Sequence, residues 1–158
     1  MIEQIYKWNE IAKPSWEVDD ITEEGKVLAI SLITEELSEL KEAFETNNTK
    51  EITDAGVDLI WVTMSAMISS GITIDDFKKY AKAVEISNFS KFCDNLEDVK
   101  DTIQMYAEGK HPDKIGAKIQ ATFEYNPLHG CYTILRSSDG KVLKSYKYIP
   151  AEEVLKTL

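Results

Sequence analysis

Two carboxylates, Glu36 and Asp58, stand where solvated charges are not expected, with Glu35, Glu39 and Asp54 near them in the sequence. On a wheel of residues 27–45 at about 100° per residue, Leu28, Ala29, Leu32, Ile33, Leu37, Leu40, Ala43 and Phe44 share one broad face. Glu36 falls inside that arc, Glu39 lies toward its edge and Glu35 sits just outside it. The run Val57-Asp58-Leu59-Ile60-Trp61-Val62 repeats the anomaly, with Asp58 inside an apolar stretch and Asp54 four residues earlier on the same side. A buried carboxylate costs several kcal/mol unless it is paired, protonated or bound to metal. Few bases lie on these segments to neutralise the acids. A hard divalent cation would answer the problem, because carboxylate oxygens suit magnesium and manganese. The i, i+3 spacing of Glu36 and Glu39 places both on one helical face. The plainer alternative is that Glu36 and Asp58 are charges that pair helices or sit at an interface.

These acids need helices to position them. The pattern predicts helices over residues 2–12, about 22–46, about 50–70, about 73–86 and 95–108. Pro14 would end the first or kink the chain after it, Asn47-Asn48-Thr49 reads as a loop, and Gly71 stops the third. Ser65 and Ser69 continue the Asp54–Asp58 stripe and leave it polar and uncrowded. The third helix is nearly apolar all round and should be buried. So few partners cannot cover it, which predicts at least a homodimer sharing helices across an interface.

Past Pro112 the period changes to two. Residues 118–125 and 131–136 read as strands joined by a turn at 126–130, with a second turn at 138–140 and a third strand over 142–148. Residues 151–158 close with a helical turn. The reading is a mainly α fold: a bundle of four to five helices over 1–110, and a small antiparallel β extension over 111–158 packed on it.

The net charge of −10 argues against a nucleic-acid polymer as partner. Residues 1–85 hold 18 acids and 8 bases, whereas residues 86–158 hold 10 of each. An anionic substrate would need the lysines of the second half, a metal on the acids of the first, or both. Cys93 and Cys131 make neither a zinc quartet nor a disulfide framework, which suits reduced cytoplasmic thiols. With no run of some 18 apolar residues and no signal-peptide layout, no membrane span is expected. No P-loop sequence is present. Trp61 reads as core; His111 and His129 are not expected as ligands.

Glu35-Glu36-Leu-Ser-Glu39, Asp54-Ala-Gly-Val-Asp58-Leu-Ile-Trp and Ser70-Gly71-Ile72 together resemble the all-α NTP pyrophosphohydrolase superfamily of MazG-type enzymes, dimeric dUTPases and phosphoribosyl-ATP pyrophosphohydrolases. Ser87-Asn88-Phe-Ser-Lys91 is similar to the S-N-M-S-K run of the phosphoribosyl-ATP pyrophosphohydrolase-like branch, common in phages and bacteria. Asp139-Gly-Lys141-Val-Leu-Lys144 and Tyr148-Ile-Pro150 resemble that branch's ending. The resemblance spans residues 30–92 and 138–154.

It implies a MazG-like bundle forming homodimers or homotetramers and hydrolysing a nucleoside triphosphate, ribo or deoxy, to the monophosphate and pyrophosphate. Glu36, Glu39 and Asp58 would hold Mg²⁺, or Mn²⁺ in its place, with Asp54 a further ligand or a partner behind it. Glu35 or Glu39 would orient the attacking water or take its proton. Asn88, Lys91, Lys141 and Lys144 would contact the nucleotide. Position 55 is alanine where many relatives carry the glutamate of ExxD, so Asp54 or Glu51 would serve instead. Hydrolysis of phosphoribosyl-ATP in histidine synthesis is a second enzyme reading. A regulatory dimer that binds a nucleotide without cleaving it is a third.

Overall fold

The computed structural model describes residues 1–12 and 22–158; Pro14, expected to end or kink the first helix, lies outside them. The chain divides into two compact units, Met1–Phe77 and Lys78–Leu158.

The first unit is built from helices α1 (Ile2–Ala12), α2 (Glu23–Glu45) and α3 (Thr49–Ser69), and it ends inside α4 (Ile74–Phe89). Side chains close the helix starts. Thr22 Oγ1 accepts the N–H of Gly25 at 3.1 Å, and Asn48 Oδ1 accepts that of Glu51 at 3.3 Å. Thr73 and Asp76 cap each other at the start of α4. Gly71, at φ 82°, provides the left-handed residue that ends α3. Ile5, Met64 and Ile68 form the core, with Ile2, Tyr6, Trp61, Met67 and Phe77 packed on it. Trp61 meets Trp8 edge-on at 6.2 Å, in line with the core reading. Asn9 is buried and donates to the Ile5 carbonyl and, at 3.0 Å, to Ser65 Oγ. The Ser65 end of the polar stripe is therefore spent on α1.

The expectation that α3 is buried does not hold within one chain. Its buried residues are Ala55, Met64, Ile68 and Ser69, whereas Val57 and Ile60 are exposed. Packed on it in this unit are α1 near its C-terminal half, α2 alongside and Phe77 of α4, and these leave part of a nearly all-apolar helix uncovered. By length and composition alone α3 could also cross a membrane, at a mean hydropathy of 1.2, contrary to the sequence reading. Asp54 and Asp58 oppose that, since a carboxylate at the bilayer centre costs about 2.5–3.5 kcal/mol on insertion scales.

The second unit begins within α4 and adds α5 (Leu96–Glu108), a 3₁₀ turn at Pro112–Lys114, strands β1 (Ala121–Asn126) and β2 (Cys131–Arg136), and the short α6 (Ala151–Leu155). The strands pair antiparallel from Ala121 opposite Arg136 to Asn126 opposite Cys131. Cys93, Val99, Tyr106, Ile134 and Leu143 form its core, and both cysteines are free. Asn95 caps α5 on the N–H of Asp98 at 2.9 Å.

The third strand over 142–148 is not there. Only an isolated bridge joins Val142 to Leu135. Beyond it the amides turn to other acceptors: Lys144 N–H to Tyr106 Oη at 3.2 Å, Ser145 N–H to the Lys91 carbonyl at 3.1 Å, and Tyr146 N–H to Thr102 Oγ1 at 3.2 Å. A period-two pattern shows which faces alternate; it does not show where the amides bond.

A buried polar knot holds this segment. The His111 ring stacks on Tyr106 with centroids 4.0 Å apart. His111 Nδ1 accepts the N–H of Asp113 at 3.2 Å, which leaves Nε2–H facing the Ser145 carbonyl at 3.3 Å. Asp113 is ion-paired to Lys144 at 2.5 Å. Burial pushes the His111 pKa down from its ordinary 6.5 despite the Ser145 carbonyl and Asp113. Its depressed folded-state pKa means protonation favours the unfolded chain. The stability it contributes is complete above about 6.5 and is lost as pH falls through the lowered value. Asp113, lowered by Lys144, adds a loss only at still lower pH. Melting temperature should therefore begin to fall below about pH 6.5. His111→Phe should flatten that first decline while lowering stability at pH 8 by about 1–3 kcal/mol, because the buried Ser145 carbonyl and the partly buried Asp113 N–H lose their partner. Thermal melts across pH 4–8 check both.

Candidate functional site

The acids singled out in the sequence all lie in the first unit, on the long antiparallel pair α2 and α3. Leu40 and Gly56 mark the close approach of the pair: a Cβ on Gly56 would stand 3.9 Å from Leu40 Cδ1. Glu36 is half-buried there, one turn before Leu40, while Glu35, Glu39, Asp54 and Asp58 are exposed. Asp58 was expected to be cut off from water; it reaches solvent because α3 is open on that side.

Lost hydration, and then the charges of Glu39, Asp58, Glu35 and Asp54 in that order, push the Glu36 carboxyl above its ordinary range. No base appears among these causes. The two lysines of α2 lie toward its ends and pair there, Lys26 with Glu23 at 2.6 Å and Lys41 with Glu45 at 3.7 Å. The helices thus bring the five acids into one electrostatic neighbourhood centred on Glu36. The side chains do not converge into a cage: among the described residues no three acidic, histidine or cysteine side chains approach closely enough to hold an ion. The donor set itself, all carboxylate oxygen, is that of a hard divalent cation.

The four expected nucleotide contacts lie in the second unit. Asn88 and Lys91 sit at the C-terminal end of α4 and just past it, and Lys91 Nζ donates to Asn88 Oδ1 at 2.6 Å. Lys144 is held by Asp113, and its ammonium lies 4.1 Å from the centre of the Tyr148 ring. Lys141 is exposed, and its N–H donates to Asp139 Oδ1; Arg136 holds the Asp139 carboxyl down at about 2. Two segments some 50 residues apart meet here. Ser87 Oγ donates to Tyr148 Oη at 3.1 Å, Ile149 N–H to Ser90 Oγ at 2.9 Å, and Ser145 N–H to the Lys91 carbonyl.

Sequence reasoning passed over Phe89, Phe92 and Val142, which line an open cleft with Asn88 and Lys91. The available signal was Phe89 itself, a phenylalanine where the similar run carries methionine.

Residues 6–85 match a family model described as Phosphoribosyl-ATP pyrophosphohydrolase. The match takes in all five acids and stops three residues before Asn88. No curated protein and no solved structure matches the chain.

Lost hydration and the neighbouring like charges both penalise ionised Glu36, so removing its charge should help the metal-free fold. Glu36→Gln should raise the melting temperature in chelator by about one or two degrees, small because the group is solvent-screened. It should also shrink the stabilisation that added Mg²⁺ gives the wild type. A lower melting temperature in chelator would contradict the crowding.

Proposed function

The chain belongs to the phosphoribosyl-ATP pyrophosphohydrolase family, within the MazG-like all-α pyrophosphohydrolase superfamily, and from that premise we propose that it hydrolyses a nucleoside triphosphate to the monophosphate and pyrophosphate. The observation that carries the proposal is that the family match over residues 6–85 takes in Glu35, Glu36 and Glu39 of α2 and Asp54 and Asp58 of α3, two helices packed side by side. Uncompensated carboxylates in this number are stable beside one another when a cation joins them. Glu36, Glu39, Asp54 and Asp58 would hold Mg²⁺ or Mn²⁺. The ion, when bound, neutralises phosphate charge and acidifies water.

The rest is the chain's own work. Glu35 or Glu39 accepts a proton from water as its oxygen bonds to the α-phosphorus. The bond from that phosphorus to the α–β bridging oxygen breaks, and pyrophosphate leaves with the oxygen. Lys91, Lys141 and Lys144 supply positive charge for the anionic nucleotide, and Asn88 supplies amide N–H groups to it. Lys144 must exchange part of its contact with Asp113 to do so.

Phosphoribosyl-ATP is the second substrate reading, favoured by the description of the matched family. It uses the same acids and the same bond cleavage.

A homodimer or homotetramer fits the exposed apolar residues of the first unit. Val27, Ile30, Leu37 and Phe44 of α2 and Val57 and Ile60 of α3 face solvent in one chain. Light scattering should give the mass of two or four chains, and a monomer would refute the assembly.

Pyrophosphate release from a panel of NTPs, dNTPs and phosphoribosyl-ATP tests the activity. Release should require Mg²⁺ or Mn²⁺ and favour one substrate; Asp58→Asn should cut it by about 10²-fold or more, with helix content unchanged. A folded, metal-loaded protein silent across the panel would refute the hydrolase. Lys144→Ala should raise KM several-fold; unchanged kinetics would leave Lys144 as a partner of Asp113 alone.

A further inference from the structure

The open cleft of the second unit has a volume of about 300 Å³ and is lined by Asn88, Phe89, Lys91, Phe92 and Val142. That lies at the lower end of small-molecule sites. It has room for one flat ring system with part of a sugar, and not for a whole nucleoside triphosphate. In a chain of net charge −10, no acid among the described residues lines it.

Its walls are aromatic and held in place. Phe89 is 69% exposed, yet Phe92 meets it edge-on, with ring centroids 6.2 Å apart and planes at 64°. Val142 is set against them by its bridge to Leu135 and by the neighbouring bond from Ser145 N–H to the Lys91 carbonyl. The polar lining offers donors. Lys91 Nζ occupies Asn88 Oδ1 at 2.6 Å, so Asn88 presents its amide N–H groups and Lys91 its remaining ammonium hydrogens. A ligand that fits is flat, apolar on its faces, rich in acceptors at its edge and negatively charged overall.

We infer that this cleft binds the base of the nucleotide, stacked on Phe89 against Phe92 and Val142, with Asn88 donating to the ring edge and Lys91 favouring the charged nucleotide over the bare nucleoside. The inference rests on the proposed function in taking the ligand to be a nucleotide. It adds that base recognition sits on α4 and the segment following β2, apart in sequence from the acids. Stacking tolerates any base, so preference among bases falls to the Asn88 amide.

The test is equilibrium binding, which needs no turnover. The four ribonucleoside 5′-monophosphates and inorganic pyrophosphate are titrated by calorimetry into wild type, Phe89→Ala and Phe89→Trp. Phe89 is exposed, so neither variant disturbs the core. Phe89→Ala should weaken the best monophosphate about tenfold and leave pyrophosphate unchanged. Phe89→Trp should bind the monophosphate at least as well as wild type. Equal affinity of Phe89→Ala and wild type for every monophosphate would overturn the inference, as would no monophosphate binding to wild type or an equal loss for pyrophosphate. The parent reading fails separately: Phe89-dependent binding without pyrophosphate release from any triphosphate would keep the cleft and refute the hydrolase.

Discussion

The packing of α2 against α3 governs the first unit and decides which charges stand near one another. The two helices carry Glu35, Glu36, Glu39, Asp54 and Asp58, and lost hydration first, then the other four charges, raises the Glu36 carboxyl. Evenly spread surface acids would cost nothing. Glu36 lies one turn before Leu40, which stands opposite Gly56 of α3, so the helix contact that stabilises the unit also brings acids of the two helices near one another. A divalent cation held there, as proposed, would link metal affinity to the stability of the helix pair.

The second unit solves a different problem. It has only two strands, and a two-stranded sheet is marginal by itself. The segment after β2 is anchored instead by polar groups inside the unit: Tyr106, Thr102, His111 and the Lys91 carbonyl. Asp98, buried at the start of α5, accepts Lys147 Nζ at 2.7 Å and Tyr146 Oη at 3.3 Å. Among the described residues no buried side-chain nitrogen or oxygen lacks a partner. That satisfied network fixes the backbone of residues 142–149 against the end of α4, and so shapes the cleft beside Asn88 and Lys91.

Most helices were legible because spacing and caps agree. Thr22, Asn48 and Asn95 each start a helix that apolar periodicity had already placed, and Gly71 ends one. The fourth runs on to Phe89, past the expected Ile86, because no proline or glycine stops it there. The sequence placed Glu36 and Asp58 on neighbouring helices, as the structure does, but the inference from apolar neighbours to burial failed at Asp58. Periodicity reports which residues share a face; it does not say whether one chain covers that face. The third strand failed for a related reason, since its acceptors are a tyrosine, a threonine and a distant carbonyl that no local pattern encodes. The cleft was illegible because it joins positions 89 and 142.

The central claim is that the carboxylates of α2 and α3 bind a divalent cation. Anomalous scattering from crystals grown in Mn²⁺ tests it most directly. The account predicts a manganese peak bounded by Glu36, Glu39, Asp54 and Asp58, lost in crystals of Glu36→Gln. A saturating Mn²⁺ concentration that leaves those carboxylates without a peak would contradict it.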